Sequence, residues 1–272
     1  MAGKVIAVDL GGTNLRVSLV QNNKIIKYMK DKTPKTQKEL ENLLFKNIEH
    51  LMEKDVKGIG IASAGPLENG IIKNPPNLPL RNYNIKAALE KRFKKKVEVC
   101  NDAHSVAFAE LKLGVKKKNF IVLTIGTGVG GGIIIDGKLY EGQGYGGEMG
   151  HIILHDGKSF EKLVGWKYTK ELSKKAFGKE LMINDLLKIN NSKSKEILNK
   201  ITMHLGQGIG SLINVFDPEV VVLAGGVRET GSTYLNMIKK EAEKYIILPR
   251  KTPIQWSKLE HPGTLGASLL IN

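Results

Sequence analysis

Three glycine-rich segments of the sequence have the residue types that a phosphate-binding backbone requires. They are Gly11-Gly12-Thr13, the run that begins Gly126-Thr127-Gly128, and Gly225-Gly226, and each follows an apolar stretch typical of a strand. Glycine lacks a β-carbon and adopts positive φ easily, so several amides at such a bend can point at one anion. A tight turn is the alternative for any one segment, but three of them at strand ends favour a site for a polyphosphate. The complete P-loop pattern and the Rossmann spacing after the first strand are both absent.

Polar side chains at two further points could contact a substrate. Asn101 and Asp102 follow an apolar strand and open a predicted helix, where Asn and Asp are favoured as caps in any case. Glu148 and His151 lie in the glycine-flanked segment GGEMGH. The surrounding glycines make this segment approachable to a ligand, whereas a lone glutamate is normally a solvated surface residue. From these residues alone, the structural and the functional interpretations both stay open.

The elements that must position these residues alternate between strands and helices. The spacing of leucine and isoleucine predicts a helix over 38–54. NPPNLP at 74–79 cannot form regular secondary structure, because proline lacks the backbone hydrogen-bond donor. Strands are predicted at 5–9, 15–20, 24–29, 57–62, 71–72, 97–100 and 219–223. The other predicted helices are 85–95, 103–113, 160–176, 183–189, 194–212, 232–245 and 263–270.

The opening pattern of strand, glycine bend, strand and hairpin turn occurs twice. Gly12-Thr13 and Gly126-Thr127 are 114 residues apart, and so are the turns Asn22-Asn23 and Asp136-Gly137. The matching distances predict an internal duplication. The expected architecture is therefore two α/β halves of similar layout around a cleft.

Composition excludes several classes of protein. A single cysteine, Cys100, among 272 residues excludes an intramolecular disulfide and a cysteine-rich metal site. No apolar run is long enough for a membrane span and the N-terminus does not resemble a signal peptide, so we expect a cytoplasmic protein. The net charge of +15 could indicate a polyanionic partner. However, the lysines are spread along the chain without interleaved aromatic residues, which favours a solvated surface and no nucleic acid partner.

The motifs together resemble one known family. DLGGTNLR, NPPNLP, NDAHSVAFAE, GTGVGGGIIIDGKLYEG, GGEMGH and LAGG occur in this order over nearly the full chain, and they are similar to the ROK family of sugar kinases. The resemblance implies an α/β fold of two duplicated ribonuclease H-like lobes, the actin-like ATPase fold. We expect a small lobe of residues 1–113 with the C-terminal helix 260–272, and a large lobe of residues 114–259.

The resemblance also implies roles for individual residues. Asp102 would be the general base on the sugar 6-hydroxyl, a role that suits a carboxylate. The sugar would be held by Asn77, Asn101, Asp102, Glu148, His151 and Glu161. The nucleotide would be bound by Asp9, Gly11, Gly12, Thr13, Asn14, Thr127, Gly128, Gly225 and Gly226. Asp9 would also lie near Mg²⁺, although a structural role in a turn at the strand end is an equally good interpretation of this residue. For Asn77, an Asx-turn beside proline is likewise as good an interpretation as sugar binding.

The sequence departs from the family at one point. Most ROK proteins carry CxCGxxGCxE after GExGH, and its three cysteines bind a structural zinc together with the histidine. This chain reads HDGKSFEKLVGW there. His155 and Asp156 cannot replace three thiolates with the same geometry, so we predict no zinc site.

The expected activity is ATP- and Mg²⁺-dependent phosphorylation of a hexose at the 6-hydroxyl, with glucose as the first choice. N-acetylmannosamine, N-acetylglucosamine, fructose and allose are alternative acceptors, and polyphosphate is an alternative donor. A sugar-responsive transcription regulator is the alternative from another class. We consider it less favoured because the Asp9-Leu10-Gly11-Gly12 motif begins within ten residues of Met1. A homodimer or homotetramer is expected from the family.

Overall fold

The computed structural model of the protein describes residues 3–271, which form two compact units. Unit 1 extends to Lys116 and includes Glu141–Tyr145 and the C-terminal segment from Leu259. Unit 2 comprises Lys117–Tyr140 and Gly146–Lys258. The expected lobes of 1–113 with 260–272 and of 114–259 differ from these units mainly in the segment 141–145, and remain a prediction.

Strands and helices alternate along most of the chain, as predicted. The strands are β1 Lys4–Leu10, β2 Asn14–Gln21, β3 Lys24–Lys32, β4 Val56–Ser63, β5 Leu67–Glu68, β6 Ile71–Ile72, β7 Tyr83–Asn84, β8 Lys96–Asn101, β9 Phe120–Ile125, β10 Val129–Ile135, β11 Lys138–Leu139, β12 Ile153–His155, β13 Lys158–Ser159, β14 Val220–Ala224 and β15 Ile254–Trp256. The α-helices are α1 Gln37–Leu51, α2 Ile85–Phe93, α3 Asp102–Lys112, α4 Phe160–Val164, α5 Trp166–Phe177, α6 Ile183–Ile189, α7 Ser192–Phe216, α8 Gly231–Ala242 and α9 Pro262–Ser268. Short 3-10 helices occupy Met149–His151 and Gly226–Thr230.

Each unit contains a five-stranded sheet with the same topology. The strand order is β3-β2-β1-β4-β8 in unit 1 and β11-β10-β9-β14-β15 in unit 2. In both, the first three strands in sequence are antiparallel and the last two are parallel to the first. The predicted duplication is therefore confirmed at the level of topology.

The hairpin turns that suggested the duplication have the same backbone conformation. Asn22 and Asn23 have φ of 51° and 60°, and Asp136 and Gly137 have φ of 50° and 73°. Two consecutive residues with positive φ are characteristic of the type I′ turns that match the twist of a hairpin. Asn, Asp and Gly tolerate this conformation best, which is why these turns could be recognised in the sequence.

A separate apolar core stabilises each unit. In unit 1, Leu40, Leu44, Ile48 and Leu51 form the buried face of α1 against the sheet, as their spacing predicted. In unit 2, the long helix α7 packs against α4, α5, α6 and α8. No helix within residues 3–271 combines the length and the apolar character that crossing a membrane requires.

One predicted helix is wrong. Residues 160–176 were expected to form a single helix, but Gly165 has an extended ψ of 157° and separates α4 from α5. A β-carbon at Gly165 would lie 2.7 Å from the carbonyl oxygen of Thr127. The contact with the Thr127 backbone, which is remote in sequence, explains the break.

Candidate active site

The carboxyl ends of three parallel strands of unit 1 meet at one edge of its sheet. Leu10 of β1, Ser63 of β4 and Asn101 of β8 are paired in a single row across the sheet. Gly11-Gly12-Thr13 and Asp102 directly follow the outer two of these strands. Since neighbouring strands lie about 4.8 Å apart, the bend and the aspartate are about 10 Å apart at the same edge. This is the edge at which open α/β sheets bind ligands.

Thr33 holds the Gly11-Gly12-Thr13 bend in shape. Its hydroxyl donates a 2.6 Å hydrogen bond to the carbonyl oxygen of Gly11, and its amide donates to the carbonyl oxygen of Thr13 at 3.0 Å. Two carbonyls of the bend are thereby occupied. Within residues 3–271, the amides of Gly12 and Thr13 donate no hydrogen bond, so they are available to an anion.

The NPPNLP segment lies directly against this bend. A β-carbon at Gly12 would be 2.5 Å from the β-carbon of Asn77 and 2.8 Å from its carbonyl oxygen. Gly65, with φ of 91°, makes an equally close approach to Pro75. Two glycines therefore allow the proline-rich segment to pack onto the strand ends, with the side chain of Asn77 exposed.

Asn101 caps helix α3, and Asp102 is its first residue. The Oδ1 atom of Asn101 accepts hydrogen bonds from the amides of Ala103 at 2.9 Å and His104 at 3.2 Å. The carboxylate of Asp102 also accepts from the Ala103 amide, at 2.9 Å. The cap predicted from the sequence is thus present. A helix N-terminus favours the negative charge of Asp102.

Asp9 lies on β1, one residue before its last, and pairs with Arg16 on β2. The guanidinium Nη1 is 2.9 Å from the carboxylate Oδ2, and the side chain of Asp9 is 19% exposed. Burial raises the pKa of Asp9, and the charge and hydrogen bond of Arg16 oppose that rise. Sequence analysis missed Arg16, although the register Asp9↔Arg16 follows from the hairpin.

The two glycine segments of unit 2 also share one edge of a sheet. Gly126-Thr127-Gly128 follows β9 and Gly225-Gly226 follows the parallel strand β14, and Ala224 is paired with Thr124. Gly225 has φ of 86°, and a β-carbon there would be 2.6 Å from the carbonyl oxygen of Ile125. The backbone at this position therefore requires glycine.

Trp166, which sequence analysis also missed, links both glycine segments. Its amide donates to the carbonyl oxygen of Gly126 at 2.9 Å. A β-carbon at Gly226 would lie 2.4 Å from the indole ring. No local pattern in the sequence could have predicted this contact, because Gly126 and Gly226 are 40 and 60 residues away from Trp166.

Glu148 and His151 are held on unit 2 by a short 3-10 helix that packs on β10. A β-carbon at Gly131 would be 2.1 Å from the Cε of Met149, and one at Gly150 would be 2.0 Å from the carbonyl oxygen of Val129. The close packing depends on these glycines. The carboxylate of Glu148 and the imidazole of His151 are both exposed, with 3.8 Å between Oε2 and Nε2.

Glu161 lies in the first turn of α4, next to the Gly126-Thr127-Gly128 bend. Its Oε2 accepts a 3.0 Å hydrogen bond from the amide of Val129. A β-carbon at Gly128 would be 2.1 Å from the same oxygen. The predicted sugar ligand is therefore also bonded to the backbone of the second glycine bend.

Comparison with known proteins identifies the family. The model of the ROK family matches residues 5–272. This chain belongs to the ROK family.

Its relatives within the ROK family include enzymes and regulators. The chain is 27% identical to the glucokinase of Thermotoga maritima, over 98% of this chain and 97% of that protein. It is 31% identical to the xylose repressor of Bacillus spizizenii, over 70% of this chain and 53% of that protein. The crystal structure of a ROK glucokinase from Streptomyces griseus in complex with glucose and AMPPNP has a TM-score of 0.88 at 25% identity, covering 99% of both chains. The predicted fold, the actin-like ATPase fold of ROK sugar kinases, is confirmed.

The residues after GEMGH do not fit the zinc site of ROK proteins that carry the cysteine pattern. Cys100 is on β8 of unit 1, and burial raises the pKa of its thiol to about 12. His155 Nε2 is 3.2 Å from Asp156 Oδ2, but no third ligand joins them. Across the described residues, no group of three or more His, Cys, Asp and Glu side chains could hold a metal ion. Zinc would therefore lack its donor set here.

Proposed function

We propose that this protein is an ATP-dependent sugar kinase that transfers the γ-phosphoryl group of ATP to the 6-hydroxyl of a hexose, with glucose as the preferred acceptor. The observation that carries the proposal is the shared sheet edge of unit 1. It combines two free backbone amides in a glycine bend with a carboxylate about 10 Å away. The full-length likeness to a glucokinase and to a glucokinase structure with glucose and AMPPNP supports the choice of acceptor and donor.

Asp102 acts as the general base. Its carboxylate accepts the proton of the sugar 6-hydroxyl while the hydroxyl oxygen attacks the γ-phosphorus and the bond to the β-phosphate oxygen breaks. The hydrogen bond from the Ala103 amide orients the carboxylate. The N-terminus of α3 favours the negative charge that a general base carries before the reaction.

The sugar is bound by polar side chains from four segments: NPPNLP, the start of α3, GGEMGH and the first turn of α4. Asn101 uses its amide nitrogen, because its Oδ1 is occupied by the cap of α3. Asn77, Glu148, His151 and Glu161 provide the remaining contacts. A sugar that lacks the matching hydroxyl leaves such groups unpaired, which is how a polar site rejects the wrong substrate.

The phosphates of ATP are bound by backbone amides at the glycine bends. In unit 1 the amides of Gly12 and Thr13 serve, while Gly11, whose own amide donates to the carbonyl oxygen of Asn14 at 3.0 Å, and Asn14 complete the bend. Thr127, Gly128, Gly225 and Gly226 serve in unit 2. Asp9 is the residue that would hold Mg²⁺, since Mg²⁺ commonly uses one or two carboxylates together with water and phosphate oxygens. The ion, when bound, would neutralise charge on the transferring phosphoryl group.

A single coupled assay tests the function. Initial rates are measured with ATP and with polyphosphate on glucose, N-acetylmannosamine, N-acetylglucosamine, fructose and allose. We expect the highest kcat/KM for glucose with ATP. A higher value for an N-acetylhexosamine or for polyphosphate would replace the acceptor or the donor in the proposal. No turnover with any pair would reject the kinase.

A sugar-responsive regulator is the second candidate, because one relative is a xylose repressor. The residues proposed for sugar binding would serve a sensor equally well. A gel-shift assay at physiological salt, with random and operator-like DNA, separates the two candidates. Tight DNA binding without sugar phosphorylation would favour the regulator.

A further inference from the structure

The chain between His151 and Glu161 forms a tight hairpin. Strands β12 and β13 pair antiparallel, and the turn residues Asp156 and Gly157 have φ of 48° and 67°. The amide of Phe160 donates to the carbonyl oxygen of Ile152 at 2.8 Å, which extends the pairing to the start of α4. Backbone hydrogen bonds therefore hold the two ends of this segment together without metal ligands.

Phe160 anchors the end of the hairpin in the core of unit 2. The side chain is fully buried, and its ring lies directly on Gly208 of α7. A β-carbon at Gly208 would be 2.6 Å from the ring carbons Cε2 and Cζ. The ring can occupy this place only because Gly208 has no side chain.

Helix α4, which begins at Phe160, and the start of α5 contact the Gly126-Thr127-Gly128 bend at three points. Glu161 accepts from the Val129 amide at the end of the bend. Gly165 lies against the carbonyl oxygen of Thr127, and the amide of Trp166 donates to the carbonyl oxygen of Gly126. A displacement of α4 would therefore move both Glu161 and the backbone of the bend.

We infer that the β12–β13 hairpin and the contact of Phe160 with Gly208 hold this segment in place without a structural metal, and that Phe160 is a positioning residue for Glu161 and for the glycine bend. Because the side chain of Phe160 is fully buried, Phe160 is not proposed to contact either substrate. It sets the position of α4, and α4 presents Glu161. The effect on sugar binding rests on the proposed function, whereas the effect on the bend does not.

Gly208→Ala tests this inference because it places a methyl group against the Phe160 ring. Hydrogen exchange of the Val129 amide, followed by NMR without any substrate, reports on the bond to Glu161. We expect exchange at Val129 to accelerate at least about tenfold and KM for glucose to rise about 10- to 100-fold, the range for loss of a hydrogen bond to a charged group. Phe160→Leu in the Gly208→Ala background makes room for the methyl group. It should therefore partly restore both the slow exchange of the Val129 amide and the low KM for glucose.

Gly206→Ala is the matched control on the same helix. A β-carbon there would be 2.8 Å from Glu241 of α8 and away from Phe160. It should lower the melting temperature but leave Val129 exchange and KM within about twofold of wild type. Equal effects of the two alanine variants on Val129 would overturn the inference. If Gly208→Ala does not fold, Phe160→Leu alone loosens the same contact and must accelerate the same amide.

Metal analysis of the purified protein provides a second test. We expect far less than one equivalent of zinc, and a full equivalent would overturn the inference. If the wild-type protein phosphorylates no sugar, the proposed function fails. Val129 exchange and the zinc content would still decide the inference about Phe160.

Discussion

Gly12→Ala should damage catalysis more than stability, because the added methyl group would collide with Asn77. In the structure a β-carbon at Gly12 would be 2.5 Å from the β-carbon of Asn77 and 2.8 Å from its carbonyl oxygen. Carbon atoms pack at about 3.5–4.0 Å. The bend or the NPPNLP segment must therefore yield by about 1 Å.

A shift of that size affects both proposed substrates at once. Gly12 is assigned to the phosphates of ATP and Asn77 to the sugar, so both would be misplaced. A misplacement of about 1 Å can cost about 10²-fold in rate. Overpacking costs about 1–3 kcal/mol of stability. We therefore expect kcat/KM to fall about 10²-fold for glucose and for ATP, with the protein still folded.

Initial-rate kinetics and thermal melting of Gly12→Ala and Gly58→Ala separate the two effects. Gly58 is near the start of β4, at the opposite end of the strand from the site, and a β-carbon there would be 2.7 Å from the carbonyl oxygen of Lys96. Gly58→Ala should lower the melting temperature to a similar extent and leave the KM values for glucose and for ATP unchanged. Wild-type kcat/KM in Gly12→Ala would refute the assignment of this bend to the site.

Three further predictions follow from the site of unit 1. Asp102→Asn keeps an oxygen that can accept from the Ala103 amide, so melting and sugar KM should be unchanged while kcat falls about 10²-fold or more; turnover at the wild-type rate would exclude Asp102 as the base. Arg16→Met removes the cation that opposes the raised pKa of Asp9, so the pKa of Asp9 should rise further and the acid limb of the kcat/KM profile should move to higher pH. Arg16→Lys keeps a cation and should move the acid limb less. An unmoved acid limb in Arg16→Met would argue against a role for ionised Asp9. Burial raises the pKa of Cys100 to about 12, so iodoacetamide at pH 8 should label the native protein slowly and the guanidinium-unfolded protein fast, and equal rates would contradict that burial.

The sequence by itself determined the features that depend on neighbouring residues. The type I′ turns at Asn22-Asn23 and Asp136-Gly137 require residues that accept positive φ, and such residues are visible in any sequence. The equal distance of each turn from a Gly-Thr bend then predicted the duplication, which the matching strand orders confirm. Helix α6 was predicted at 183–189, and it has those bounds in the structure.

Only the tertiary structure decided which glycines are required for close contacts and what those contacts position. Gly165 interrupts a helical pattern because the backbone of Thr127 lies against it, and a single glycine in a helix is too weak a local signal to predict this. In the same way, Gly12 meets Asn77 and Gly208 meets the ring of Phe160 across 65 and 48 residues of chain. Such contacts depend on how elements pack and not on the preference of any residue for a conformation, so no local pattern in the sequence records them.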